Sequence, residues 1–159
     1  MALTIDREHT ALLAMDFEND IVHENGAFKD IGFAQQVKQN DVLGKTARLL
    51  DAARGAGVKV IYVSVKFRPG YPERPQNAGM FQAVAGANAL LEGAWGSTIH
   101  EAVTPKDGEP VVSKRGISAF TASDLAALLT TGGITTLLLT GVATNFVVEG
   151  TAREAADRG

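Results

Sequence analysis

The chain has no cysteine. That excludes disulfides, thiolate metal sites and thiol nucleophiles together. Aromatics are scarce, at 6 % with a single Trp, and no apolar run approaches the ~20 residues that a membrane-spanning helix needs. A net charge of −3, with no Lys/Arg run interleaved with aromatics, argues against nucleic acid as the main partner. Neither a G-x-G-x-x-G nor a P-loop pattern occurs, so no nucleotide cofactor is expected. The first residues, MALTIDREHT, carry charge early and lack the apolar stretch of a secretory signal, which makes cytoplasmic the default location.

What remains is ordinary for a globular domain: 159 residues, 45 % hydrophobic and 21 % charged. Strand-like and helix-like stretches alternate, the pattern of an α/β domain with a mostly parallel, doubly wound sheet. Thr10 to Met15 is a short apolar strand ending at Asp16. Asn40 is placed to cap a helix running to about Arg54, with Gly55 and Gly57 ending it. Val58 to Val65 is β-branched and strand-like, and Phe67 to Gln82, rich in Pro, Gly and Arg, reads as a long loop. Val111 to Ser113 forms a short strand leading into Lys114. Thr121 to Asp124 resembles a capping box opening a helix that stops at Gly132-Gly133. Ile134 to Thr140 has the near-continuous apolar character of a central strand covered on both faces. A final helix, capped by Thr144 or Asn145, carries i,i+4 pairs Glu149/Arg153, Arg153/Asp157 and Glu154/Arg158. No repeat or linker divides residues 1–159, which read as one domain.

The segment G-V-A-T-N-F-V-V-E-G-T-A-R-E-A from Gly141 resembles the fingerprint of the isochorismatase-like, or cysteine hydrolase, family. A-M-D-F-E-N-D around Asp16 is similar to that family's aspartate segment, and V-V-S-K-R-G-I-S-A-F around Lys114 to its lysine segment, with E-G-A-W-G-S-T-I-H as the usual lead-in. The resemblance covers nearly the whole chain in order and spacing. It implies a three-layer α/β/α sandwich with a Rossmann-like sheet, a homo-oligomer (dimer or tetramer), and a further strand and helix after Gly159. Without these, the sheet would have an open edge beside the Ile134 strand.

The resemblance also places Asp16 and Lys114 at the catalytic positions. It implies a backbone oxyanion hole near Phe146 and Val147, with a non-proline cis peptide between Val142 and Ala143. Two positions depart from the family pattern. Val147 stands where most members have the nucleophilic cysteine, and a valine cannot attack a carbonyl. Glu18 replaces the usual Gln. On extended backbone it shares a face with Asp16, and two neighbouring carboxyls raise one pKa, whereas Lys114 favours ionised Asp16. A solvent-facing or capping Glu18 is the competing reading.

Phe17, Glu18, Arg68, Trp95, Phe120, Asn145 and Phe146 are the substrate-binding candidates, with Arg68 the one suited to a carboxylate. Trp95 and Phe120 read equally well as core or interface residues. Asp16, Glu18, Asp20 and His23 do not have the spacing of a calcium loop, and His9, His23 and His100 look isolated, so no metal is expected. Two functions follow from these residues. One is a thiol-independent hydrolase of a small carboxylated enol ether of the isochorismate type, with Asp16 as acid and Lys114 orienting it. The other is a degenerate, non-catalytic small-molecule-binding or structural member of the family. The complete absence of cysteine fits a natural lineage better than an engineered loss of one nucleophile.

Overall fold

Alternating strand residues divide the core into two halves, one on each face of a single sheet. The computed structural model describes residues 4–159. Four parallel strands, β1 (Thr10–Met15), β2 (Lys59–Val65), β3 (Val111–Lys114) and β4 (Thr136–Gly141), lie in the order β3-β2-β1-β4. Leu12, Ala14, Val60 and Tyr62 point to one face and pack with Leu50 and Ala53 of a helix. Ala11, Leu13, Met15, Ile61 and Val63 point to the other and pack with Leu125, Leu129 and Val147. Helices on both faces make this the three-layer α/β/α arrangement. A buried leucine such as Leu50 contributes ~2–3 kcal/mol relative to leaving it in water.

The helices are α1 (Asn19–Val22), α2 (Phe33–Gln39), α3 (Val42–Gly55), α4 (Gly79–Gly86), α5 (Leu125–Thr131) and α6 (Glu149–Asp157). The chain steps from β1 through β2 to β3, then returns past β1 to form β4. Strand order therefore reverses at β1, and the crevice beyond the carboxyl ends of β1 and β4 is where such sheets bind ligands.

Several local expectations are corrected. Asn40 does not open α3. It closes α2, its amide donating to the Gln36 carbonyl, and Asp41 in left-handed backbone (φ +50°) links the two helices. The run from Phe67 is a loop only as far as Ala78, after which Met80, Phe81 and Val84 form an apolar stripe on α4. The Thr121–Asp124 box is not made. Ser123 Oγ instead accepts from the Leu125 amide and donates to the Ala119 carbonyl. Neither Thr144 nor Asn145 caps the last helix through its side chain, because Thr144–Val148 forms a wide π-helical turn that runs into α6. Glu149–Arg153 and Glu154–Arg158 pair, each at 2.6 Å, whereas Arg153 and Asp157 do not. β4 is an edge strand among the described residues, half-buried rather than covered on both faces, with β1 its one partner.

Candidate functional site

Asp16 is the first residue beyond β1. Its amide still donates to Val63 O (2.9 Å), so it remains tied to the ladder, but its φ of +59° turns the chain sharply. Aspartate is among the few residues that tolerate this left-handed conformation. Lys114 ends β3, beside Val65 of β2. Its long side chain passes the end of β2 to reach Asp16, and Nζ lies 2.9 Å from Asp16 Oδ2 and 2.6 Å from the Ile117 carbonyl. Both side chains are nearly sealed from solvent, at 2 % and 9 % exposure. A charge-assisted bond of this kind is roughly twice as strong as a neutral one. Asp16 Oδ1 has no partner among the described residues.

Glu18 is fully buried, which removes the solvent-facing reading. It stands at the N-cap position of α1 without making a side-chain cap, and both of its carboxyl oxygens lack a partner. Burial, followed by the neighbouring Asp16 charge, holds its pKa well above the usual carboxylate range. Burial also raises Asp16, to about 6, against the opposing pull of Lys114. Two buried carboxyls thus lie near one ammonium, and charge balance favours keeping one of the two protonated.

Beside Asp16, the Val142–Ala143 peptide is cis, as the family resemblance implied. The Val142 amide donates to Met15 O, continuing the β1–β4 contact. The Ala143 carbonyl accepts from the Phe146 amide at 3.1 Å and the Val148 amide at 3.5 Å. Phe146 N–H is thereby spent inside the turn, a correction to its expected role in an oxyanion hole. Val147 is completely buried.

Asp16, Lys114, Val142, Ala143, Phe146 and Val147 meet at one cleft of about 310 Å³. Its remaining wall is apolar and includes Phe28, Phe33, Met80, Phe81 and Ile117, none of which was singled out in the sequence. The Met80/Phe81/Val84 spacing was the available signal. The other binding candidates lie elsewhere. Arg68 is two-thirds exposed and 3.9 Å from Glu73. Phe17 is in the core. Phe120 packs on the opposite face of the sheet under the Arg158 guanidinium. Asn145 lines an adjoining groove that shares Phe33, Val142 and Ala143 with the cleft. Trp95 is half-exposed, edge-on to His23.

His23 and His100 are not isolated, as their rings stand 5.4 Å apart. Each Nδ1 accepts a backbone amide, from Asn25 and Ala102, so the pair acts as local caps. Among the described residues no group of three or more His, Cys, Asp or Glu gathers to hold a metal, and no helix is long and apolar enough to cross a membrane.

Against known proteins, the isochorismatase domain pattern matches residues 10–159. The chain is 29 % identical to the ureidoacrylate amidohydrolase RutB of Methylorubrum extorquens (strain DSM 6343 / CIP 106787 / DM4), over 98 % of this chain and 67 % of that protein. It is 30 % identical to the maleamate amidohydrolase of Pseudomonas putida, over 94 % of this chain and 66 % of that protein. It thus spans about two thirds of the length of these relatives. A cysteine hydrolase from Pseudomonas syringae pv. phaseolicola superposes with a TM-score of 0.85 at 25 % identity, over 99 % of this chain and 70 % of that one. Sequence pattern, sheet order and superposition agree, and the chain belongs to the isochorismatase domain family of hydrolases.

Proposed function

We propose that this chain is a hydrolase of its family that works without a thiol, with Asp16 as proton donor and Lys114 as the group that orients it. The observation that carries the reading is the open apolar cleft above the buried Asp16–Lys114 pair, which Phe146 and Val147 line but do not fill. Lys114 holds Oδ2, which leaves the unpartnered Oδ1 to present a proton.

An enol ether suits this arrangement because its cleavage needs an acid and water but no protein nucleophile. Asp16 protonates the β-carbon of the C=C–O unit, and the positive charge forms on the carbon bearing oxygen. The carboxylate left behind stabilises that cation, water adds to it and returns a proton to Asp16, and the hemiacetal or hemiketal collapses to a carbonyl compound and an alcohol. Positioned proton transfer of this kind contributes ~10²–10⁴-fold. A covalent thioester route is absent because Val147 cannot attack.

The second reading, a binding protein that has lost the reaction, draws on one observation: the Phe146 amide is occupied by Ala143 O and offers nothing to a developing oxyanion. Turnover of isochorismate, simple enol ethers and small amides, with Asp16→Ala alongside, separates the two. The hydrolase reading expects enol-ether turnover that vanishes in Asp16→Ala. It also expects a rate that falls as pH rises past about 6, where Asp16 gives up its proton. A flat profile from pH 5 to 8, or full activity in the variant, eliminates Asp16 as the acid. Binding without turnover across the panel establishes the second reading.

A further inference from the structure

The cleft holds a lysine, yet it has no cation to spare. Lys114 Nζ is already engaged by Asp16 Oδ2 at 2.9 Å and the Ile117 carbonyl at 2.6 Å, in a setting only 2 % exposed. Arg68, the cation expected to receive a carboxylate, is on the exposed loop beside Glu73 and does not line the cleft. Arg115 is likewise committed, to Glu73 at 3.0 Å and Glu92 at 2.6 Å. A substrate carboxylate would therefore enter a low-dielectric space beside Asp16, with Glu18 buried next to it, and meet no free positive charge among the described residues that line the cleft. Burying an anion without a partner is among the most costly events in protein chemistry.

The walls point the same way. Phe28, Phe33, Phe81 and Phe146 line the cleft with Met80 and Ile117, and Phe33 meets Phe146 edge to face with centroids 6.4 Å apart. Such a lining rewards the face and edge of a further ring. The volume, about 310 Å³, is at the small end of the range for small-molecule sites.

We infer that the cleft takes an uncharged, apolar small molecule, a single aryl or branched alkyl group carrying the reactive function, and discriminates against carboxylates. This rests on the cleft proposed above as the active site, and it replaces the carboxylated substrate expected from the sequence with a neutral one. Selection arises from two features: an aromatic wall that favours the neutral molecule, and a buried ion pair whose ammonium cannot be diverted.

A matched pair of probes tests it: phenyl vinyl ether and 4-(vinyloxy)benzoate, which differ in the carboxylate alone. Binding is measured by ligand-observed NMR titration at pH 7.5, and turnover separately as released acetaldehyde. Hydrolysis of phenyl vinyl ether consumes one water and yields phenol and acetaldehyde. The neutral ether is expected to bind at least ~10-fold more tightly than the acid. Met80→Arg, at a half-exposed wall position on a helix that accepts Arg readily, is expected to recover at least ~10-fold of the acid's affinity. Equal or tighter binding of the acid to the unaltered chain, or binding of neither probe, overturns the inference. Failure of both Met80→Arg and Met80→Lys to improve the acid overturns the charge argument behind it. Tight binding of the neutral ether without acetaldehyde release upholds the inference and sinks the hydrolase reading instead, so the two fail separately.

Discussion

Asp16 and Asp20 are four residues apart on one segment, both buried, and made for different work. Asp20 has every lone-pair direction it needs occupied: Oδ1 accepts from the Ala27 amide at 3.1 Å and Oδ2 from the Leu90 amide at 2.8 Å. It joins α1 to two loops, and the backbone at Gly96 lies so close beneath the carboxylate that any Cβ there would collide with it. Asp16 has one oxygen on Lys114 and one on nothing, and Glu18 between them has neither oxygen partnered. Burial alone does not identify a reactive carboxylate, since all three are buried. What separates them is satisfaction. A buried polar atom left unpaired costs about 1–3 kcal/mol, and a fold tolerates that where the atom is needed for something else.

The same Asp→Asn exchange at both positions breaks the comparison most directly. Asp16→Asn removes the proton donor and is expected to lower turnover by ~10²–10⁴-fold while the protein remains folded. Asp20→Asn should leave the cleft chemistry in place but lose stability, because one carboxamide oxygen cannot accept from both the Ala27 and Leu90 amides. Asp20→Ala orphans both donors and should cost about 3 kcal/mol, read as a shift in the urea midpoint. If Asp16→Asn unfolds the protein and Asp20→Asn merely slows it, the assignment of roles is reversed.

Glu18→Gln is the next largest, and its sign depends on pH. Glu18 in the folded chain is raised above its unfolded value near 4.5, and Asp16 above 3.8, both through burial. For each, the folded chain keeps a proton that the unfolded chain has released. The stability tied to that proton is complete below about pH 4 and is lost as pH rises through the folded values. Gln has nothing to ionise, so the variant should be more stable than the parent at pH 8, with the difference shrinking toward pH 4. Paired urea titrations at the two pH values measure it. A variant that is destabilised at pH 8 would mean that Glu18 holds an interaction the structure does not contain.

This division was only half legible in the sequence. Asp16 and Lys114 stood out because each follows a short apolar strand, and parallel strands bring their carboxyl ends together, whereas Glu18 stood out as a departure from the family pattern two residues after Asp16. The cis Val142–Ala143 bond and the position of Val147 came with the family fingerprint around Gly141. Of the cleft's aromatic wall only Phe146 was read, because Phe28, Phe33 and Phe81 come from other segments and meet it through long-range packing. Arg68 was misjudged because composition identifies a cation but not where a loop directs it. Asp20 was passed over as one more acid in D-F-E-N-D, since nothing local indicates that Ala27 and Leu90 will point their amides at it. Asn40 was assigned to the wrong helix because Asp41, in left-handed backbone, lets one helix end and another begin within two residues.

The smallest effect belongs to a third kind of carboxylate, exposed and paired. Glu149 receives Arg153 at 2.6 Å on the outer face of α6, with 49 % and 76 % of the two side chains exposed. Solvent screens the attraction, and fixing two long side chains offsets most of it, so an i,i+4 pair of this type is worth about 0.3–0.5 kcal/mol. Glu149→Ala should therefore move the urea midpoint barely beyond error, and adding salt should erase the difference between variant and parent. Glu149 has a shorter bond to its partner than either Asp16 or Asp20 has, yet it should matter least. A loss of 2 kcal/mol or more on its removal would show that bond length outranks burial in this protein. The expected result shows that a carboxylate's worth is set by what water could have done for it instead.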